Sequence, residues 1–104
     1  MAQFIFAYHG GKKPDTPEDG AKVMAAWKSW MASMGDALIV PGAPVGLSKT
    51  VSHGGIADDG GANPLAGYSV VEAADISAAS DMAKGCPMVV DGDGSVEVAE
   101  ILEM

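Results

Sequence analysis

The chain has 104 residues, 48% of them hydrophobic and 19% charged, and its formal net charge is −8 at pH 7. This length suits one hydrophobic core, and a disordered chain would be poorer in apolar residues, so we predict a single domain over residues 1–104. Apart from the pair Lys12–Lys13 the basic residues are scattered. The excess of acids repels phosphates, which disfavours nucleic acid and membranes as partners.

The sequence shows no feature that directs the protein out of the cytoplasm. Its apolar runs are too short to cross a bilayer, and the first residues lack the charged region and apolar stretch of an export signal. A single cysteine, Cys86, cannot form an internal disulfide, so no oxidising compartment is required. We therefore expect a cytoplasmic protein.

The first predicted strand covers Gln3 to Tyr8, where aromatic and β-branched residues are frequent, and two glycines end it. Side chains alternate along a strand, so Phe4, Phe6 and Tyr8 share one face while Ile5 and Ala7 share the other. Because both faces are apolar, we expect both of them to be covered.

A helix is predicted to begin after Thr16, whose hydroxyl suits the N-cap, with Pro17 at the first helical position. It should continue to about Met34, where Gly35 provides the cap. Apolar residues recur along it at helical spacing and form one buried stripe, which consists of Val23, Trp27, Trp30, Met31 and Met34.

The rest of the chain predicts short strands and one more helix. Ala37 to Val40 is a strand that ends at Pro41–Pro44, because prolines break regular pairing. Leu47 to Ser52 is a short extended segment before a loop rich in glycine and aspartate. The remaining predicted elements are a strand over Tyr68–Ala73, a helix that Asp75 caps, and a final strand over Ser95–Leu102.

This order of elements predicts an α+β fold of the ferredoxin-like split β-α-β type, in which an antiparallel sheet carries both helices on one face. The other face would then be bare, although the first strand is apolar there. A second copy packed against it about a two-fold axis would cover it, so we predict a homodimer. The alternative is that the segment 53–66 folds over the bare face.

Two residues are candidates for catalysis. His9 lies at a strand end beside two glycines, and an imidazole can exchange protons near neutral pH; the alternative is a histidine that only binds a loop carbonyl. Asp36 directly follows the first helix, where a negative charge is unfavourable, so it is either a base or a solvated turn residue.

Candidates for ligand binding are Tyr8, Trp27, Pro44 and His53. Trp27 and the methionines of its helix suit a flat organic ligand, although such a stripe more often forms core. His53 could join His9 in an acid–base set or a loose metal site. No metal-ligand spacing or phosphate-binding loop occurs, however, so we expect neither a metal nor a cofactor.

Three stretches of the second half resemble the YCII-related family, and in particular its DGPF-domain branch: Gly67–Ala73, Asp81–Pro87 and Gly94–Val98. The opening strand with its Tyr-His-Gly end and the step from the first helix into Pro41–Pro44 fit the same pattern. The DGPF tetrapeptide itself is absent, and residues 57–64 read ADDGGANP instead.

The resemblance implies a ferredoxin-like domain that assembles as a dimeric α+β barrel. Some members look like enzymes that pair an acid after the first strand with a histidine on the first helix. Here His9 takes the place of the acid and the helix has no histidine, so the pair is not carried over. We therefore expect a homodimer that binds a small organic ligand, with weak acid–base catalysis, or alternatively a non-catalytic protein-interaction or regulatory module.

Overall fold

A computed structural model describes residues 1–11 and 13–104, so of the basic pair Lys12–Lys13 only the second member is described. Three helices and six strands follow one another in these residues, with a 3-10 turn after the first helix. They are β1 (Ala2–Gly10), α1 (Pro17–Met34), the turn (Gly35–Ala37), β2 (Leu38–Pro44), β3 (Thr50–Ser52), β4 (Gly55–Ala57), β5 (Leu65–Ala73), α2 (Ile76–Ala83), α3 (Pro87–Asp91) and β6 (Gly94–Glu100). None of the described helices is both long and apolar enough to cross a membrane.

Four of the strands form one antiparallel sheet in the order β2-β5-β1-β6, and β3 and β4 form a separate hairpin. The central strand β1 pairs with β5 on one side and with β6 on the other. The crossovers through α1 and α2 then connect strands that are not neighbours in the sheet. This is the ferredoxin-like α+β arrangement, so the predicted fold class is confirmed.

Local signals explain where the two longer helices begin. The Thr16 hydroxyl accepts a hydrogen bond of 3.1 Å from the Asp19 backbone N–H, and the Asp75 carboxylate accepts one of 2.8 Å from the Ala78 N–H. Each side chain satisfies one of the N–H groups that a helix leaves without a partner at its start. The helix α1 ends at Met34 as predicted.

The core lies between the sheet and the helices. Phe4, Phe6 and Tyr8 are 1%, 0% and 5% exposed, as the alternation of β1 predicts for its helix-facing side. Trp30 of α1 stacks on Phe6 with the ring centroids 6.2 Å apart. Its indole N–H also donates to the Met82 carbonyl oxygen over 3.1 Å, which joins α1 to α2.

The strand β2 continues through Pro41–Pro44, where the sequence predicted that it would end. Its pairing with β5 shifts register twice, between Leu38 and Val40 and between Val40 and Ala43. Because β2 is an edge strand, a proline there removes no ladder hydrogen bond that the sheet needs, and the irregular pairing accommodates the rest. The strand β3 lies within the extended segment predicted over Leu47–Ser52, whereas its partner β4 and the short helix α3 were not predicted.

We call the side of the sheet away from the helices the open face; its β1 residues are Gln3, Ile5, Ala7 and His9. Ile5 and Ala7 are half-buried there. The hairpin β3–β4 is exposed at every residue, so it does not supply the cover that the segment 53–66 was considered to provide. Two of the last residues of that segment, Asn63 and Pro64, contact His9 on the open face through their backbone carbonyl oxygens.

Candidate functional site

A cavity of about 650 Å³ lies between α1 and the end of the sheet where β1 finishes. Small-molecule sites in proteins have volumes of roughly 300–1,000 Å³, so the cavity has a suitable size. One side of α1 forms one wall, because its lining residues recur at the three- and four-residue spacing of a single helix face. These residues are Gly20, Val23, Met24, Trp27, Lys28 and Met31.

Another wall consists of residues 41–44 and 66–68, which belong to the neighbouring strands β2 and β5. Gly42 has φ of +75°, and a Cβ at this position would overlap the carbonyl oxygen of Tyr68. Glycine is therefore the residue that lets β2 approach β5 at this point. A Cβ on Gly67 would also lie within 3.0 Å of the Ala43 carbonyl oxygen, so both strands are closely apposed here.

Aromatic rings extend from the core to the cavity. Tyr8 and Trp27, which both line it, meet edge to face with ring centroids 5.0 Å apart. The Tyr8 hydroxyl donates to the Ser69 hydroxyl oxygen over 2.8 Å, and Ser69 donates to the Pro41 carbonyl oxygen over 2.7 Å. This chain of hydrogen bonds holds the Tyr8 ring against the cavity wall.

Burial changes the acidity of Tyr8. Removal of the phenol from water disfavours its charged form and raises the pKa of Tyr8 to about 12, although the hydrogen bond with Ser69 acts in the opposite direction. The hydroxyl is therefore neutral at physiological pH. At this pH the hydroxyl can take part in hydrogen bonds, but it does not act as a base.

The structure brings three of the sequence-predicted site residues together, since Tyr8, Trp27 and Pro44 all line the cavity. It separates them from His9. Although His9 follows Tyr8 directly, its side chain points to the open face, because neighbouring residues of a strand face opposite ways. The side chain of His9 therefore lies on the other side of the sheet from the cavity.

His9 is only 9% exposed, and both of its ring nitrogens have partners. Nδ1 lies 3.0 Å from the Asn63 carbonyl oxygen and 3.2 Å from that of Pro64. Nε2 lies 2.9 Å from Glu97 Oε1. All of these partners are oxygens that accept hydrogen bonds, so the imidazole joins the loop at residues 63–64 to Glu97 of β6. For His9 the sequence left open, as an alternative to catalysis, that it only binds a loop carbonyl, and the structure shows such contacts.

The other two candidates lie elsewhere. Asp36 is exposed in the 3-10 turn after α1, and His53 is exposed in the turn of the hairpin β3–β4. Neither of them, nor His9, lines the cavity. Across residues 1–11 and 13–104, no three His, Cys, Asp or Glu side chains lie close enough together to hold a metal ion.

Two features of the cavity were missed at the level of the sequence. Gly42 was assigned only to a turn between prolines, because its role depends on a distance between two strands that the sequence does not show. Lys28 was not among the predicted site residues, yet it lies four residues from Met24 and three from Met31, and all three line the cavity.

No protein-family model matches the sequence, and no curated protein matches it. Among solved structures, a 5-chloro-2-hydroxyhydroquinone dehydrochlorinase (TftG) from Burkholderia phenoliruptrix AC1100, in complex with 2,5-dihydroxybenzoquinone, is similar in fold. The TM-score is 0.59 at 15% sequence identity, and the similarity covers 100% of this chain and 96% of that chain. At this identity the similarity supports the fold.

Proposed function

We propose that the chain is a small-molecule-binding domain whose ligand has an apolar ring and occupies the cavity beside α1. The observation that carries this proposal is a volume of about 650 Å³ lined by Trp27, Tyr8 and three methionines. Aromatic and thioether side chains adapt well to flat organic molecules. The structure of similar fold holds a small ring compound, a dihydroxybenzoquinone, which adds support.

Binding is better supported than catalysis inside this cavity. The Tyr8 phenol is neutral, and neither histidine lies among the lining residues that the structure describes. An acid–base role for His9 or Asp36 would therefore need a second pocket. We propose that such a pocket, if it forms, lies on the open face, where a partner subunit could enclose His9 and Glu97.

A homodimer through the open face is the second part of the proposal, and it agrees with the proposed membership of the YCII-related family. Half-buried Ile5 and Ala7 provide the apolar surface. Light scattering after size-exclusion should give twice the chain mass. Ile5→Glu, or the milder Ala99→Glu on the same face, should give a folded monomer by circular dichroism, whereas Ala26→Glu on the exposed side of α1 should leave the dimer intact.

The methionines allow a direct test of the cavity. Met24, Met31 and Met88 line it, while the other four methionines of the chain do not. With ¹³C-labelled methyl groups, titration with 2-naphthamide, an uncharged ring probe, should shift these three signals and leave those of Met34 and Met82 nearly unchanged. Shifts spread evenly over all seven signals, or none at millimolar probe, would argue against the proposal.

Two variants sharpen this titration. Trp27→Leu removes the aromatic wall and should weaken binding of the probe about fivefold, because ring contacts of this kind contribute on the order of 1 kcal/mol. His53→Ala is the matched control, since His53 was a candidate for binding but lies outside the cavity. Equal loss of affinity in both variants would contradict the assigned site.

A non-catalytic interaction module is the second candidate function, and the hairpin β3–β4 is the observation that favours it. Val51 and Ile56 are 74% and 68% exposed, and Leu47 before the hairpin is fully exposed. A two-stranded hairpin alone is marginally stable in water, so a protein partner could stabilise it. Replacement of Val51 and Ile56 by threonine should abolish a pull-down partner without changing the naphthamide titration.

A further inference from the structure

We infer that the ligand of the cavity is an organic acid, with an apolar ring inside and a carboxylate at the mouth that pairs with Lys28. This inference rests on the proposed function and adds the chemical class of the ligand. The observation behind it is the charge of the lining. Among the described residues that line the cavity, Lys28 is the one with a charged side chain.

The position of Lys28 on α1 suits this role. Lys28 lies between Met24 and Met31 on the helix face that forms the cavity wall. Its side chain is exposed, so the aliphatic part can lie along the apolar wall while the ammonium group stays in water at the mouth. A carboxylate that meets it there remains partly hydrated, which avoids the high cost of burying an unpaired charge.

The described lysines differ in whether a carboxylate of the chain neutralises them. Lys28 and Lys22 form no such ion pair with a described residue, and of these two only Lys28 lines the cavity. Lys49 pairs with Asp58 at 3.1 Å and Lys84 with Asp81 at 3.0 Å. No carboxylate within the described part of the chain forms an ion pair with Lys28.

The sequence of α1 explains why. The positions three and four residues away from Lys28 hold Met24, Ala25, Met31 and Ala32, so no acid lies within reach along the helix. Elsewhere the net charge of −8 repels anions. A carboxylate ligand would therefore gain a favourable contact with Lys28 at the mouth of the cavity, and this local charge can select an acid over its neutral analogue.

The test compares 2-naphthoate with 2-naphthamide, which has the same ring but no charge, by the methionine-methyl titration. The unaltered protein should bind the acid about 2- to 5-fold more tightly than the amide, since a solvent-exposed ion pair contributes little more than this. Lys28→Gln should make the two affinities equal. Lys28→Glu should reverse the preference, while the amide should bind all three proteins alike.

Lys22→Glu is the matched control, because it makes the same change in net charge on an exposed position of α1 outside the cavity. It should keep the preference for the acid. Equal binding of acid and amide to the unaltered protein would overturn the inference and leave the proposed function standing. If Lys22→Glu and Lys28→Glu change the preference for the acid to the same extent, the inference is likewise overturned and the proposed function stands. Failure of both probes to bind would overturn the two together.

Discussion

The two faces of the sheet differ although the same strand β1 builds both. On the helix side Phe6 is fully buried and Tyr8 reaches an apolar cavity. On the open face Ile5 is half-buried and His9 pairs with the exposed carboxylate of Glu97. Residues adjacent in the sequence thus belong to two different environments. The apolar face suits ligand binding, and the polar end of the open face joins a loop to the sheet.

The largest expected contrast is between neighbours on β1. Phe6→Ala should lower the free energy of unfolding by about 3–5 kcal/mol, because it leaves a cavity in a dry core and removes the ring that stacks on Trp30. In the monomer that Ala99→Glu gives, Ile5→Ala should cost only about 1 kcal/mol, since this side chain is half-buried within one protomer. Urea denaturation measures both, and equal losses would mean that the two faces are equally packed.

The next effect concerns the close approach of β2 to β5 beside the cavity. Gly42→Ala should destabilise the protein by about 2–4 kcal/mol, because its Cβ would overlap the Tyr68 carbonyl and its positive φ disfavours a side chain. Gly46→Ala is the control, since nothing lies within 4 Å of its added methyl group. A difference of less than 1 kcal/mol between the two variants would contradict the close approach of β2 to β5.

Tyr8→Phe should cost about 1–2 kcal/mol at neutral pH, because Ser69 then loses the hydroxyl that donates to it. The pKa of Tyr8 is about 12 in the folded protein and about 10 in an unfolded chain, so the folded state holds the proton more tightly. The stabilisation of the folded state that follows from this raised pKa is complete below pH 10, and it is lost as the pH rises towards 12. Denaturation at several alkaline pH values should show this loss in the parent protein and a smaller one in Tyr8→Phe.

The smallest expected effect lies on the open face. Glu97→Gln should change the free energy of unfolding by less than about 1 kcal/mol, because the Glu97 side chain is 69% exposed. The ¹⁵N chemical shifts of His9 are the more sensitive readout. The shift of Nε2, which lies 2.9 Å from Glu97 Oε1, should change in Glu97→Gln, and an unchanged shift would contradict this contact.

Much of the fold could be predicted because local chemistry and global structure agree. The alternation of β1 predicted which rings enter the core, and Thr16 and Asp75 marked the starts of α1 and α2 correctly. The end of β2 was misplaced because proline is excluded from central strands but tolerated at an edge, and the order of strands is not visible in the sequence.

The candidate site was predicted less completely. Tyr8, Trp27 and Pro44 line one cavity, and the alternation of side chains along β1, which is visible in the sequence, directs His9 to the other face. The role of Gly42 could not be predicted from the sequence. It depends on how closely β2 approaches β5, and this is a distance between segments far apart in the chain.

The most direct test of the assignment of the ligand to the helix side is a crystal structure of the protein with 2-naphthoate. The account predicts that the ring lies against Trp27, opposite Pro41–Pro44, and that the carboxylate points to Lys28. Density for the probe on the open face beside His9 and Glu97, with the cavity empty, would contradict it.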